Sequence, residues 1–128
     1  MVETTDAEVL EMLREVVSER PEYVYSCPEY MVGTSGDDGV NLSCFYVHTD
    51  EAGAPVSAGC VVGVVLHRLG VPLEELRKHE GRTPVQMLKD VVSGPGRGVA
   101  HVLGDVQFEQ DESTPWGEAY THAMGETI

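Results

Sequence analysis

Between Thr5 and Arg20 the apolar residues Val9, Leu10, Leu13, Val16 and Val17 recur at the i, i+1, i+4, i+7, i+8 spacing that lines one face of an α-helix. Thr5 followed by Glu8 has the form of a capping box, with Asp6 as an alternative cap one residue later, and Pro21 ends the element. The opposite face carries Glu8, Glu11, Glu15 and Glu19. Like charges four apart repel by a few tenths of a kcal/mol, and Glu19 also lies near the negative pole of the helix. The pattern then changes. "EYVYSCPEYMV" and "GVNLSCFYVH" are rich in aromatic and β-branched residues and flank "GTSGDDG", which predicts a β-hairpin with a longer loop. Pro28 marks a bend or a sheet edge. Alternation puts Leu42, Cys44, Tyr46 and His48 on one face of the second strand and Ser43, Phe45 and Val47 on the other. "TDEAGAP" reads as a connecting loop.

The densest apolar run is "GCVVGVVLHRLGVPL". Its valines favour a strand by propensity, but Leu69, Gly70 and Pro72 form a helix stop, so the segment from Cys60 to Leu69 is expected to be a helix. Val61, Val62, Val65, Leu66 and Leu69 make one broad apolar face and Cys60, Gly63, Val64 and His67 another. Such a helix is buried nearly all round, and Gly63 then serves close approach to a neighbour. Short helices follow from Pro72 to His79 and from Thr83, where Pro84 and Gln86 complete a capping box. "SGPGRG" is a breaker without the Lys-Ser/Thr of a phosphate loop. Val99, Val102, Leu103 and Val106 suit a helix, and Thr114 as cap with Pro115 first begins a last one, with Trp116, Ala119, Tyr120 and Ala123 inward. The expectation is one domain over residues 1–128 with an α+β fold: a small antiparallel β-hairpin or sheet packed among several short α-helices.

Composition narrows the function classes. The chain has 128 residues, 41% of them apolar and 23% charged, a globular balance large enough for one core. The stretch from Cys60 to Leu66 is too short to span a membrane, and "MVETTDAEVLEML" lacks the basic start of a secretory signal, so a cytoplasmic location is expected. Cys27, Cys44 and Cys60 are an odd, widely spaced set that suits reduced thiols. Cys44 and His48 could share a strand face as metal ligands, but CxxC, HxxxH and HExxH are all missing, so neither metal nor other cofactor is expected. Asp105, Glu109, Asp111 and Glu112 lack the order of a calcium loop and read as solvated. Acidic residues number 22 against 8 basic, a formal net charge of −14, and no Lys or Arg occurs between Pro21 and His67. That surface repels phosphate, which argues against direct nucleic-acid binding and for a protein partner with a basic surface. His67 beside Arg68 is placed to interact with the helix's negative pole, and Trp116 is expected in the core.

The cysteine opening an apolar helix that ends in "LHRLGV", the "HEG" after the next short helix and the C-terminal "VQFEQDESTPWGEAYTHA" resemble a group of small uncharacterised proteins of actinobacteria and their phages, over roughly Cys60 to Ala123. That resemblance implies a phage-derived protein and carries no site residue. "GCVVGVVLHRLGVPL" is also similar to the nucleophile-bearing helix of NlpC/P60-type cysteine peptidases, and "VAHVLGDVQF" to the histidine strand that follows it there. This second resemblance implies Cys60 as nucleophile and His101 as base in attack on an amide carbonyl of a peptidoglycan stem peptide. Where that family has Asp before and Ser-Gly after the cysteine, this chain has Gly59, Val61 and Val62. The leading expectation is therefore a non-enzymatic acidic interaction protein that binds through Glu8, Glu11, Glu15, Glu19, Asp37 and Asp38. The alternative is the cysteine peptidase or amidase.

Overall fold

The computed structural model describes residues 1–27 and 45–127. Among them the order is β1 (Val2–Glu3), α1 (Asp6–Glu19), β2 (Val47–Thr49), β3 (Pro55–Ala58), α2 (Val61–Arg68), α3 (Leu73–Arg77), α4 (Pro84–Val91), β4 (Val92–Ser93), α5 (Arg97–Asp111) and α6 (Trp116–Met124). This is the expected α+β fold, with one small antiparallel pair among short helices. A parallel pair of β1 with β4, which the hydrophobic pattern does not announce, joins the chain's start to the end of α4.

Among the described residues β2 pairs with β3, in the register Val47 to Ala58 and His48 to Ser57, a hairpin that the hydrophobic pattern does not predict. "TDEAGAP" is thus the turn of a hairpin rather than a plain connection. Asp50 Oδ1 accepts the N–H groups of Ala52 and Ala54, both at 2.9 Å, and so builds the turn from its own side chain. Residues 22–27 form no strand, and the rest of the expected first strand, its loop and residues 39–44 lie outside the described residues.

α2 is the interior helix. Val61, Val62, Val65 and Leu66 have no exposed surface, and they meet Val9, Leu13, Val16 and Val17 of α1 and Leu103 and Val106 of α5 in one cluster. Its stop is a full Schellman motif: Gly70 takes φ +114°, its N–H reaches His67 O at 3.0 Å, and Val71 N–H reaches Leu66 O at 3.1 Å. Close approach explains Gly63, since a Cβ there would collide with the carbonyl of Tyr46, the residue just before β2. α1 starts on Thr5, whose hydroxyl accepts Glu8 N–H at 3.1 Å, and α4 starts on the complete capping box of Thr83 and Gln86.

α6 begins one residue later than expected. Pro115 is its cap, and Thr114 is not. The donors at its start are instead satisfied across the fold, where Trp116 N–H meets Tyr23 O at 3.0 Å and Gly117 N–H meets Pro21 O at 2.8 Å. Trp116 is fully buried, edge-on to Tyr23 with ring centroids 4.8 Å apart, and the Arg20 guanidinium lies over both rings. The end of α1 and the start of α6 are therefore one structural unit.

Gln110 ties the helices together from inside. It is 2% exposed, and its Oε1 accepts both Val61 N–H, at 2.8 Å, and the Trp116 indole N–H, at 3.1 Å. The first of these donors is an orphan of the α2 N-terminus and the second is a buried ring nitrogen. Gln110→Leu keeps the volume and strands both donors, so it should lower the unfolding free energy by about 2–4 kcal/mol in denaturant titration. Gln110→Glu, which keeps an acceptor, tests whether the hydrogen bonds rather than the packing carry that loss.

Candidate functional site

Cys60 caps the N-terminus of α2, the position the peptidase resemblance requires, but it has no exposed surface. Its backbone N–H is held by Phe45 O at 2.8 Å, and its thiol donates to Gln107 Oε1 at 3.7 Å. A substrate carbonyl cannot reach that sulfur in this conformation. His101 lies on the exposed side of α5, and among the described residues no hydrogen bond joins it to Cys60. The segment around His101, a strand in the peptidases, is helical here because Val99, Leu103, Val106 and Gln110 keep one buried face at helical spacing. The imidazole that packs against this corner belongs to His48. A Cβ on Gly59 would lie 2.6 Å from His48 Cδ2 and 2.7 Å from its Nε2.

His48 Nε2 is 2.8 Å from the Tyr25 hydroxyl, which also accepts Phe45 N–H at 3.2 Å. The Tyr25 hydroxyl thus meets the imidazole on one side and a backbone donor on the other. Burial pushes the imidazole below its ordinary pKa. The pair is an interior fastening between the chain after α1 and the start of the hairpin. Cys44, the suggested metal partner of His48, lies outside the described residues, and among the described residues no group of His, Cys, Asp or Glu is arranged to hold a metal.

The "HEGR" turn after α3 is a second polar centre. Glu80 grips the first residues of the hairpin: Oε1 accepts Tyr46 N–H at 2.8 Å and Oε2 accepts Val47 N–H at 3.1 Å. The Tyr46 hydroxyl donates to the Arg82 carbonyl. Arg82 in turn approaches His79 Nδ1 at 2.7 Å and Asp90 Oδ2 at 2.9 Å and donates to Gln86 O at 2.7 Å. Loss of water around Glu80 pushes its pKa up to about 7, against the pull of the two backbone hydrogen bonds and of Arg77.

The expected acidic stripe is exposed along α1 at Glu8, Glu11, Glu15 and Glu19. Glu19 departs from the rest. Arg68 of α2 binds both its oxygens at 2.6 Å, and this holds the Glu19 carboxyl below its usual range. Part of that stripe thus serves as a clamp between α1 and α2. Asp37 and Asp38 lie outside the described residues. At the far end, Asp6 Oδ1 accepts Gly96 N–H at 2.8 Å, so an internal carboxylate already occupies the start of α5 and the "SGPGRG" loop. Glu109, read as solvated, meets His122 Nδ1 at 2.6 Å, and His67 holds the Val71 carbonyl at 2.9 Å just beyond its own helix end.

Comparison with protein-family models, with curated proteins and with solved structures found no match for this chain. No helix among the described residues is long and apolar enough to cross a membrane.

Two measurements check this geometry. Cys60 in the native protein should react with iodoacetamide at least about a hundredfold more slowly than in denaturant, read by mass spectrometry of the peptides, because labelling waits on opening of the core. Glu80 should make stability depend on pH. Its folded pKa lies above the unfolded value of 4.5, so the folded state holds the proton more tightly, and the contribution present below pH 4.5 is lost as pH rises to about 7. A loss on the order of 3 kcal/mol across that window is expected in denaturant titrations, and Glu80→Gln should flatten it.

Proposed function

We propose that this chain is a non-enzymatic, cytoplasmic acidic interaction protein that binds a partner protein through a carboxylate-bearing exterior. The observation that carries the reading is the exposed face of α1. Glu8, Glu11 and Glu15 stand in solvent, and among the described residues none of them is in an ion pair. A face of this kind costs the helix repulsion energy that a basic partner would remove. The formal net charge of −14 adds long-range attraction for a basic protein and repulsion of nucleic acid. The resemblance to actinobacterial and phage proteins is consistent with a phage-derived protein directed at a host component.

The second reading, a cysteine peptidase or amidase with Cys60 and His101, has one observation in its favour, the place of the sulfur at the mouth of α2. Its burial and its bond to Gln107 weigh on the other side. Loss of a peptidoglycan-cleaving activity in Cys60→Ser would establish it.

Titration with an oligo-lysine peptide tests the first reading. The affinity should fall by about tenfold or more between low and high ionic strength, and the Glu8→Lys, Glu11→Lys, Glu15→Lys triple variant should bind weakly at either. An affinity indifferent to salt would count against an electrostatic surface.

A further inference from the structure

α1 and α6 lie side by side, and between them runs an open groove of about 640 Å³. Leu10 from α1 and Met124 from α6 line it as partly buried apolar residues seated on the core, and Tyr120 closes its base. Glu11 and Glu15 line the α1 side. Glu126 stands on the other side, and it is held there, because the buried Tyr120 donates its hydroxyl proton to Glu126 Oε1 at 2.7 Å. Loss of water around it, and after that the bond to Glu126 and the carboxylate's charge, push the Tyr120 hydroxyl up to about 12, against a smaller pull from Arg14. Arg14 is the basic residue lining the groove, so the carboxylates outnumber it.

An apolar base with acidic walls differs in kind from an evenly solvated acidic face. A purely hydrophilic cation would leave Leu10 and Met124 in water, and a purely apolar segment would bury Glu11 and Glu15 without partners. The complementary shape is a helix with a row of apolar side chains bordered by Lys or Arg. Both walls are themselves helical, with Leu10 and Arg14 one turn apart on α1 and Tyr120 and Met124 one turn apart on α6, which suits the i, i+4 ridges of a third helix.

Resting on the acidic-surface reading above, we propose that the groove between α1 and α6 is the docking site for a basic amphipathic helix of the partner protein. Apolar side chains of that helix cover Leu10 and Met124, and its basic side chains meet Glu11, Glu15 and Glu126.

The test uses the full chain and two synthetic peptides of equal length and equal lysine content. One places leucines at helical spacing, and the other replaces them by serine and glycine. At physiological salt the leucine-lysine peptide is expected to bind about tenfold or more tightly than its hydrophilic counterpart. Met124→Gln and, separately, Glu126→Gln should each narrow that difference, with circular dichroism confirming that the variants are folded, and Arg14→Gln should widen it severalfold. Equal binding of the two peptides would overturn the groove and leave the general acidic surface standing. So would a preference for the leucine-lysine peptide that all three variants leave unchanged, because the apolar contact would then lie elsewhere. Failure of both peptides to bind would overturn the acidic-surface reading itself.

Discussion

A buried amide oxygen that accepts two hydrogen bonds is the point on which this fold closes. α2 is hydrophobic on nearly every side and can be stable only inside, yet its N-terminus carries backbone donors that the interior must satisfy. Gln110 supplies the acceptor from α5, and the same oxygen takes the indole proton of Trp116, which anchors α6. An apolar residue there would fill the space and leave donors from two helices unpaired, an arrangement costlier than either a packed apolar contact or a satisfied polar one. Cys60 joins this arrangement through Gln107, one helical turn before Gln110 on the same helix. The sulfur is thus part of the means by which the mouth of α2 is lodged against α5.

The other face of α2 is set by backbone rather than by side chains. Gly59 and Gly63 leave room for the carbonyls of Phe45 and Tyr46 to approach, and the N–H groups of Gly59 and Cys60 bond back to those same carbonyls. Glu80 then fixes the opposite side of that strand start by accepting its next two N–H groups. The opening of β2 is held between an interior helix and a polar turn, so its position depends on contacts far apart in the chain. Contacts of this kind leave no periodic trace.

That contrast explains what could be read from the residues alone. α1, α2 and α4 are legible because each has an apolar face at helical spacing and a local start or stop: Thr5 and Pro21, Gly70 and Pro72, Thr83 with Pro84 and Gln86; α5 is legible from its apolar face alone. Gln110 also left a signal, since it continues the face of Val99, Leu103 and Val106, and a polar residue in an apolar register announces a buried acceptor or donor. The β2–β3 pairing was hidden because β3 is short, begins with proline and shows little alternation, although Asp50 and Gly53 are turn residues in suitable places. Thr114 and Pro115 resemble a helix start so closely that the actual solution, carbonyls lent by Pro21 and Tyr23, could come only from tertiary structure. Of the candidate site, the exposure of Glu8, Glu11 and Glu15 followed from the helical pattern, but the use of Glu19 by Arg68 depends on where α2 crosses α1.

The distribution of charge follows from the same construction. Carboxylates that touch the fold have structural work: Glu80 holds a strand, Asp6 holds the start of α5, Glu19 clamps two helices and Glu126 receives Tyr120. Those on the solvent side of α1 form no ion pair among the described residues; Glu15 lies within the field of Arg68, and the repulsion among the others is a cost that no ion pair offsets. Arg68 shows that a base from another element can meet an α1 carboxylate with both oxygens engaged, so the absence of such partners for Glu8 and Glu11 among the described residues is a property of their position on the helix rather than of the residue type. They stand where α2 does not reach, and Glu11 stands at the edge of the groove shared with α6. A stripe that is half clamp and half open divides the helix into a part that holds the molecule together and a part left for an outside base to satisfy.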